Sequence, residues 1–215
     1  MIRPGEDPRQ AWLRERRKGI GASDAAAIVG RSPYRTNVDL WEEKTGRRVA
    51  PDVSAKPQVA YGTQAEAHLR GLFALDYPQY TVHYDQYRIF SSPEHPFIRA
   101  TLDGWLEGPE GTGVLEIKTA QLSGAVQWAQ WDGRIPDAYY VQALHQLLAT
   151  GFDFVLLKAQ LRQERDGEIR CDTRHYRIIR EEVREDLAAL LAEEVRFWRY
   201  VEADRRPPLR LPEIG

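Results

Sequence analysis

In the stretch GVLEIKTA, residues 113–120, Glu116 and Lys118 stand two residues apart. The stretch has strand composition. Side chains alternate along a strand, so Val114, Glu116 and Lys118 face one way and Leu115, Ile117 and Thr119 the other. The second set is core. The first places an acid and an amine roughly 6–7 Å apart along the strand, at ~3.3 Å per residue. As an exposed ion pair these two would contribute only ~0–1 kcal/mol and do no chemistry. Thirteen residues before Glu116 comes Asp103, in ATLDGWLE, just ahead of a glycine. If EGPEGTG closes a hairpin, Asp103 and Glu116 fall near each other across the ladder; otherwise Asp103 is an Asp-Gly turn residue. Two carboxylates that close repel unless a cation sits between them. Hard cations such as Mg²⁺ or Mn²⁺ take oxygen ligands, usually one or two carboxylates with carbonyls, waters and substrate phosphates. Asp103, Glu116 and the carbonyl of Ile117 would supply that set. Lys118 would then stand beside a metal-bound water, where an ammonium orients a nucleophile and offsets charge developing on phosphate.

The elements that must position these residues follow from composition and periodicity. Residues 9–18 predict a helix anchored by Trp12. GIGASDAAAIVG predicts a glycine turn and a helix from about Ser23 to Val29, with Ser23 as its N-cap. NVDLWEEKTG predicts a helix closed by Gly46, residues 47–60 a polar loop, and YGTQAEAHLRGLFAL a helix with Ala65, Leu69, Leu72 and Phe73 on one side. Residues 80–90, 97–107 and 113–119 then have strand composition and are separated by turn sequences, which predicts an antiparallel meander. Residues 135–151 predict a helix starting near Pro136 and stopped by Gly151. Two further strands flank QERDGE, a hairpin with Asp166-Gly167 at its turn. Residues 180–204 predict a long amphipathic helix for core packing or a subunit contact, and residues 205–215 a proline-stiffened tail. The order predicts one α/β domain over 1–215, a central mixed sheet flanked by helices.

The chain has 215 residues, 42% apolar and 29% charged, the balance of a soluble globular protein. The single cysteine, Cys171, excludes an internal disulfide, a cysteine-rich zinc site and an iron–sulfur cluster, and a cytoplasmic setting fits. The N-terminal MIRPGEDPRQ has no apolar run, so no signal peptide is expected, and no stretch approaches a membrane span. Net charge is −2, but residues 1–50 hold eleven Arg and Lys against seven Asp and Glu. That excess suits a polyanion and equally suits ordinary surface variation. Basic residues are 25 Arg and 5 Lys, so the bias of the chain did not select Lys118. A compact ammonium is what that position requires, not a guanidinium fork.

Asp103, Glu116 and Lys118 form D-x(12)-E-x-K, the pattern of the PD-(D/E)XK nucleases. The flanking blocks GIGASDAAAIVGRSPYRTNVDLWEEKTG, YGTQAEAHLR, ATLDGW, LEIKTA and YYVQALHQLLATG closely resemble, in this order, the YqaJ-type viral recombinases, phage alkaline exonucleases related to lambda exonuclease. The resemblance runs over about residues 17–151. Leu102 stands where the family's name pattern has proline. The resemblance implies a restriction-endonuclease-like core and metal-dependent hydrolysis of DNA phosphodiesters. It implies Glu66, Asp103 and Glu116 as carboxylates at two Mg²⁺ or Mn²⁺ ions, and Lys118 as the catalytic lysine. Gln142, with Tyr139, belongs to a helix motif beside the site; Tyr139, Gln142 and Gln146 share one stripe. Arg17 and Ser23 match positions that hold the 5′ end or phosphates of DNA, and Thr101 matches a small hydroxyl position near the phosphate. A glycine turn leading into a helix start suits an anion. The family further implies 5′-to-3′ degradation of double-stranded ends, a single-strand annealing partner, and a homotrimeric ring.

Two other functions fit parts of this pattern. The same site could serve a structure-specific or restriction-like endonuclease in DNA repair or defence. A non-catalytic DNA-binding module is the other; it has no need of clustered carboxylates facing phosphate. His83, His95 and His175 show no metal spacing. His145 follows the core residue Leu144 and is expected to be packed.

Overall fold

The computed structural model describes residues 7–211. Residues 1–6 of the stretch read as lacking a signal peptide, and residues 212–215 of the proline-rich tail, lie outside the described residues.

The chain opens with three short helices, α1 (Pro8–Arg16), α2 (Ala22–Ile28) and α3 (Asn37–Lys44). Asp7 caps α1 by accepting from the Arg9 N–H at 3.1 Å. Thr36 and Asp39 cap each other's backbone at the start of α3. The expected cap of α2 is corrected. Ser23 is the second residue of the helix and Gly21 is its N-cap, because Asp24 reaches back to accept the Gly21 N–H at 2.9 Å. The helix therefore starts before the serine. α4 (Pro57–Asp76) begins four residues earlier than Tyr61, since Pro57 fits the first helical turn.

The expected meander forms only in part. β1 (Thr81–His83) is short, because residues 84–89 leave the ladder in a turn where Asp85 accepts the Tyr87 N–H. β2 (Phe90–Ser91) and β3 (Arg99–Ala100) pair in a small separate sheet. The strand predicted over 97–107 is thus broken at 101–103, the segment that carries Thr101 and Asp103. β4 (Gly104–Gly108) and β5 (Gly111–Gln121) make the expected hairpin. α5 (Ala125–Ala129), in a segment with no predicted element, precedes α6 (Asp137–Thr150), which Gly151 ends with a φ of 74°. β6 (Phe154–Arg165) and β7 (Glu168–Ile179) form the predicted hairpin, with Asp166 and Gly167 at φ 54° and 79°, as a tight primed turn requires. A 3₁₀ turn (Arg180–Val183) leads into α7 (Arg184–Glu202).

The main sheet has the order β1-β4-β5-β6-β7, antiparallel except for the parallel β5–β6 pair. Helices cover both of its faces. Val114 and Val155 pack against Ala143, Leu144 and Leu147 of α6, with α2 and α7 behind. On the other face Leu106, Leu115, Ile117 and Leu156 pack against Leu69 and Phe73 of α4. The strand reading assigned only Leu115, Ile117 and Thr119 to core. A parallel pair is buried on both sides, so Val114 and Glu116 are buried as well. The N-terminal layer is tied to the sheet region through Ile20, which bridges Ile98. Gly19 permits that approach, since a Cβ there would clash with the Phe97 carbonyl oxygen.

α6 and α7 are joined by a buried ion pair. His145 Nδ1 lies 2.6 Å from Glu194 Oε1, and its Nε2 lies 2.9 Å from the carbonyl of Arg99. With the Arg99 carbonyl accepting at Nε2 and the Glu194 carboxylate facing Nδ1, the geometry favours the protonated imidazolium. Burial opposes that charge, but the Glu194 carboxylate outweighs it and holds the pKa above 6.5. A base with a raised folded-state pKa stabilises the fold at low pH and loses that contribution as pH rises through the folded value. The wild type is therefore expected to lose melting temperature, from about pH 6.5 upward, relative to the His145→Leu/Glu194→Leu double variant. A pH-independent difference between the two melting curves would show the histidine to be neutral.

Candidate active site

Seven of the expected residues line one cleft of about 420 Å³: Ser23, Glu66, Thr101, Asp103, Glu116, Lys118 and Gln142. The hairpin register brings the first pair of carboxylates together. Gly104 pairs with Leu115, so Asp103 stands one step further, opposite Glu116. Asp103 Oδ2 accepts the Ile117 N–H at 2.8 Å, which fixes the carboxylate against β5 just where the strand pairing ends. The Ile117 side chain points into the core on the α4 face.

Glu116 is 2% exposed. Its Oε1 accepts from Gln142 Nε2 at 2.6 Å and pairs with Lys118 Nζ, and its Oε2 accepts from Gln146 Nε2. Tyr139 does not line the cleft; its ring lies 5.0 Å from Lys118 Nζ and against Trp131. The stripe predicted on α6 therefore exists, with Gln142 and Gln146 on Glu116 and Tyr139 on Lys118.

Glu66 comes from α4, on the opposite side of the sheet's edge. Arg70, one turn on, donates to Glu66 Oε1 at 3.1 Å and to the Asp103 carbonyl, and its guanidinium lies 3.6 Å over the Tyr84 ring. No sequence signal singled out Arg70 beyond its i,i+4 spacing from Glu66.

The electrostatics follow from this crowding. Burial pushes the Asp103 carboxyl well above the usual range, and Glu116 and Glu66 push it further, against Lys118 and the Ile117 N–H. Burial works against the Lys118 ammonium, but the Glu116 and Asp103 carboxylates overcome it and raise its pKa. The lysine is thus held charged by acids that repel one another. Among the described residues, no three His, Cys, Asp or Glu side chains stand close enough to hold an ion by themselves. The preformed unit is the Asp103–Glu116 pair, which suits a hard cation that completes its shell with water and phosphate. Glu66, tied to Arg70, stands as a further carboxylate in the same cleft.

For the N-terminal block the structure departs from the expected constellation. Arg17 is the C-cap of α1, exposed, and outside the cleft lining. Arg16 lines the cleft instead, with Arg9 and Arg99. Helical spacing carries the signal: Arg16 is four residues after Trp12, and its guanidinium lies 4.8 Å over the indole. Tyr84, Gln86, Tyr87 and Ile89 line the same cleft; they belong to the turn that interrupts the predicted strand 80–90.

Residues 11–153 match the YqaJ-like viral recombinase domain. The chain is 32% identical over 155 residues to the uncharacterized protein YqaJ of Bacillus subtilis (strain 168), over 72% of this chain and 46% of that protein. It thus spans about half the length of the curated relative it matches. The fold is similar to that of an alkaline exonuclease, LHK-Exo from Laribacter hongkongensis, with a TM-score of 0.66 and 19% identity over 91% of this chain and 93% of that one. It is also similar to LHK-Exo in complex with dAMP, with a TM-score of 0.61 and 17% identity over the same shares. No helix among the described residues is long and apolar enough to cross a membrane.

Proposed function

The chain belongs to the YqaJ-like viral recombinase domain family, and we propose that it is a metal-dependent exonuclease that hydrolyses phosphodiesters at double-stranded DNA ends. One observation carries this reading: Asp103 and Glu116, two carboxylates that repel, are held side by side with Lys118 in a cleft that Arg9, Arg16 and Arg99 also line. A structural ion pair needs no second acid, and a binding surface for phosphate gains nothing from carboxylates. The complex of LHK-Exo with dAMP agrees with nucleotide chemistry in this fold.

In this reading Asp103 and Glu116, with the Ile117 carbonyl and Glu66, would hold Mg²⁺ or Mn²⁺, two ions in all. Such ions, when bound, neutralise phosphate charge and acidify a water molecule. Lys118 steadies the attacking water and the charge that develops on the phosphate. Gln142 keeps Glu116 turned toward the cleft. Ser23 and Thr101 offer hydroxyls to a phosphate, and Arg16 offers the cationic contact expected of Arg17. The 5′-to-3′ polarity, a homotrimer, a single-strand annealing partner and action in the phage or bacterial cytoplasm belong to the same proposal.

Incubation with Mg²⁺ or Mn²⁺ and end-labelled linear or closed circular duplex tests it. Degradation of linear DNA alone is the expected result. Cutting of the circle would establish the endonuclease, and binding without hydrolysis the non-catalytic module. Arg16→Ala is expected to raise KM for 5′-phosphorylated ends by about 10–100-fold, the range for losing a charged hydrogen bond. An unchanged KM, measured beside a 5′-hydroxyl duplex, would remove Arg16 from the end-binding site.

A further inference from the structure

Gln146 is completely buried on α6, beside the apolar residues Ala143, Leu144 and Leu147 of the same helix. A buried amide is costly unless its donor and acceptor are both matched. Here only half of it is. Its Nε2 donates to Glu116 Oε2, while its Oε1 has no hydrogen-bond partner. An aliphatic side chain at this point of α6 would leave no orphaned carbonyl. The one thing that Gln146 does, and an aliphatic residue would not, is to grip the second oxygen of Glu116.

That grip has a definite consequence. A carboxylate offers about four lone-pair positions. On Glu116, Gln142 and Lys118 both meet Oε1, and Gln146 alone meets Oε2. The lone pair left for a ligand is therefore on Oε2. Gln142 by itself would act as a hinge at Oε1, about which the carboxylate could swing. With Gln142 and Gln146 one helical turn apart on the same stripe, the carboxylate is held at two points and its plane is fixed. Partners that orient a ligating carboxylate typically matter 10–100-fold for metal affinity or activity. We infer that Gln146 is a positioning residue for this site: it clamps Glu116 Oε2 so that its remaining lone pair is directed at a divalent cation. The inference rests on the proposed role of Glu116 as a metal ligand, and extends it to a residue that never touches metal or DNA.

The test uses Gln146→Met, which keeps the length and fills the space with an adaptable apolar chain. Leu147→Ala serves as a comparator that loosens the same helix without touching Glu116. Mn²⁺ binding is read by calorimetry on the protein without DNA. Gln146→Met is expected to weaken Mn²⁺ binding by about 10-fold or more. It should lower kcat while leaving KM for duplex ends unchanged. Leu147→Ala should lower the melting temperature and leave the Mn²⁺ isotherm unchanged. Gln146→Asn, which keeps the amide but is one methylene too short to reach, should reproduce the Gln146→Met isotherm and keeps the test available if the methionine variant does not fold. A wild-type Mn²⁺ isotherm in Gln146→Met or Gln146→Asn overturns the inference, as does an equal weakening in Leu147→Ala, which would mark general loosening of the core. The isotherm does not depend on hydrolysis. If the wild type binds Mn²⁺ but cuts no DNA, the proposed function fails while the role of Gln146 is still decided.

Discussion

Lys118→Ala is expected to lower hydrolysis of duplex ends by about 10²–10⁴-fold, the range for losing a positioned proton-transfer or charge-stabilising group, with KM little changed. The ammonium is 18% exposed at its side chain, pairs with Glu116 and lies over the Tyr139 ring, so it is oriented before any substrate arrives. Its pKa, raised by the Glu116 and Asp103 carboxylates against burial, keeps it charged at neutral pH. Lys118→Arg should not restore the rate. A guanidinium is planar and wider, presents its donors in a fork, and cannot stand between Glu116 and Tyr139 without moving one of them. Single-turnover kinetics on a labelled linear duplex decide the matter. Near-wild-type rates in Lys118→Ala would dismiss the lysine from the chemistry and leave it as the counter-ion of Glu116.

Asp103→Asn is expected to abolish hydrolysis while making the metal-free protein more stable. The acid is crowded by Glu116 and Glu66 in a partly buried position, and its folded-state pKa is raised. An acid of that kind stabilises the fold when protonated, at low pH, and costs stability once pH exceeds its ordinary value of 3.8 and the charge has to be carried. At neutral pH the asparagine removes that cost and still accepts the Ile117 N–H through its amide oxygen. A gain of about 1 kcal/mol would raise the melting temperature by ~2–4 °C in a domain of this size. Adding Mn²⁺ should then stabilise the wild type, because a ligand that binds only the native state adds RT ln(1 + [L]/Kd), and should leave Asp103→Asn unmoved. Glu116→Gln should also lose hydrolysis. An Asp103→Asn variant that is destabilised without metal, or is still stabilised by Mn²⁺, would show that the carboxylate is a structural acceptor and no ligand. Function and stability are opposed at this residue, as expected where like charges are gathered in advance of a cation.

Much of this site is legible in the chain itself, and the reason is local. The two-residue period of a strand sets Glu116 and Lys118 on one face. The turn at Pro109-Glu110 sets the register that puts Asp103 opposite Glu116. The 3.6-residue period of α6 places Gln142 and Gln146 on one stripe. The two periodicities depend on backbone geometry over a few residues and are read directly; the register was conditional on the hairpin, which the structure supplies. The caps were less legible: Asp24, not Ser23, sets the start of α2, because a side chain that reaches back three residues competes with the hydroxyl that looked better placed.

What the sequence determined by itself, then, is which side chains share a face of their own element: Glu116 with Lys118 on one strand, and Tyr139, Gln142 and Gln146 on one helical stripe. Only the tertiary structure decided which of these meet. It brought Glu66 around from the α4 side with Arg70 as its tether. It turned Arg16 rather than Arg17 into the cleft, with the Arg16 guanidinium over the Trp12 indole and Ala11 as the buried residue of α1. It made Glu116 a buried residue by laying α6 across the parallel β5–β6 pair, so that what an exposed strand would present as an ion pair became a desolvated carboxylate with its donors assigned. Periodicity fixes the direction of a side chain from its own element. What stands opposite, and how much water remains between, is set by the packing of elements far apart in the chain, which no local pattern encodes.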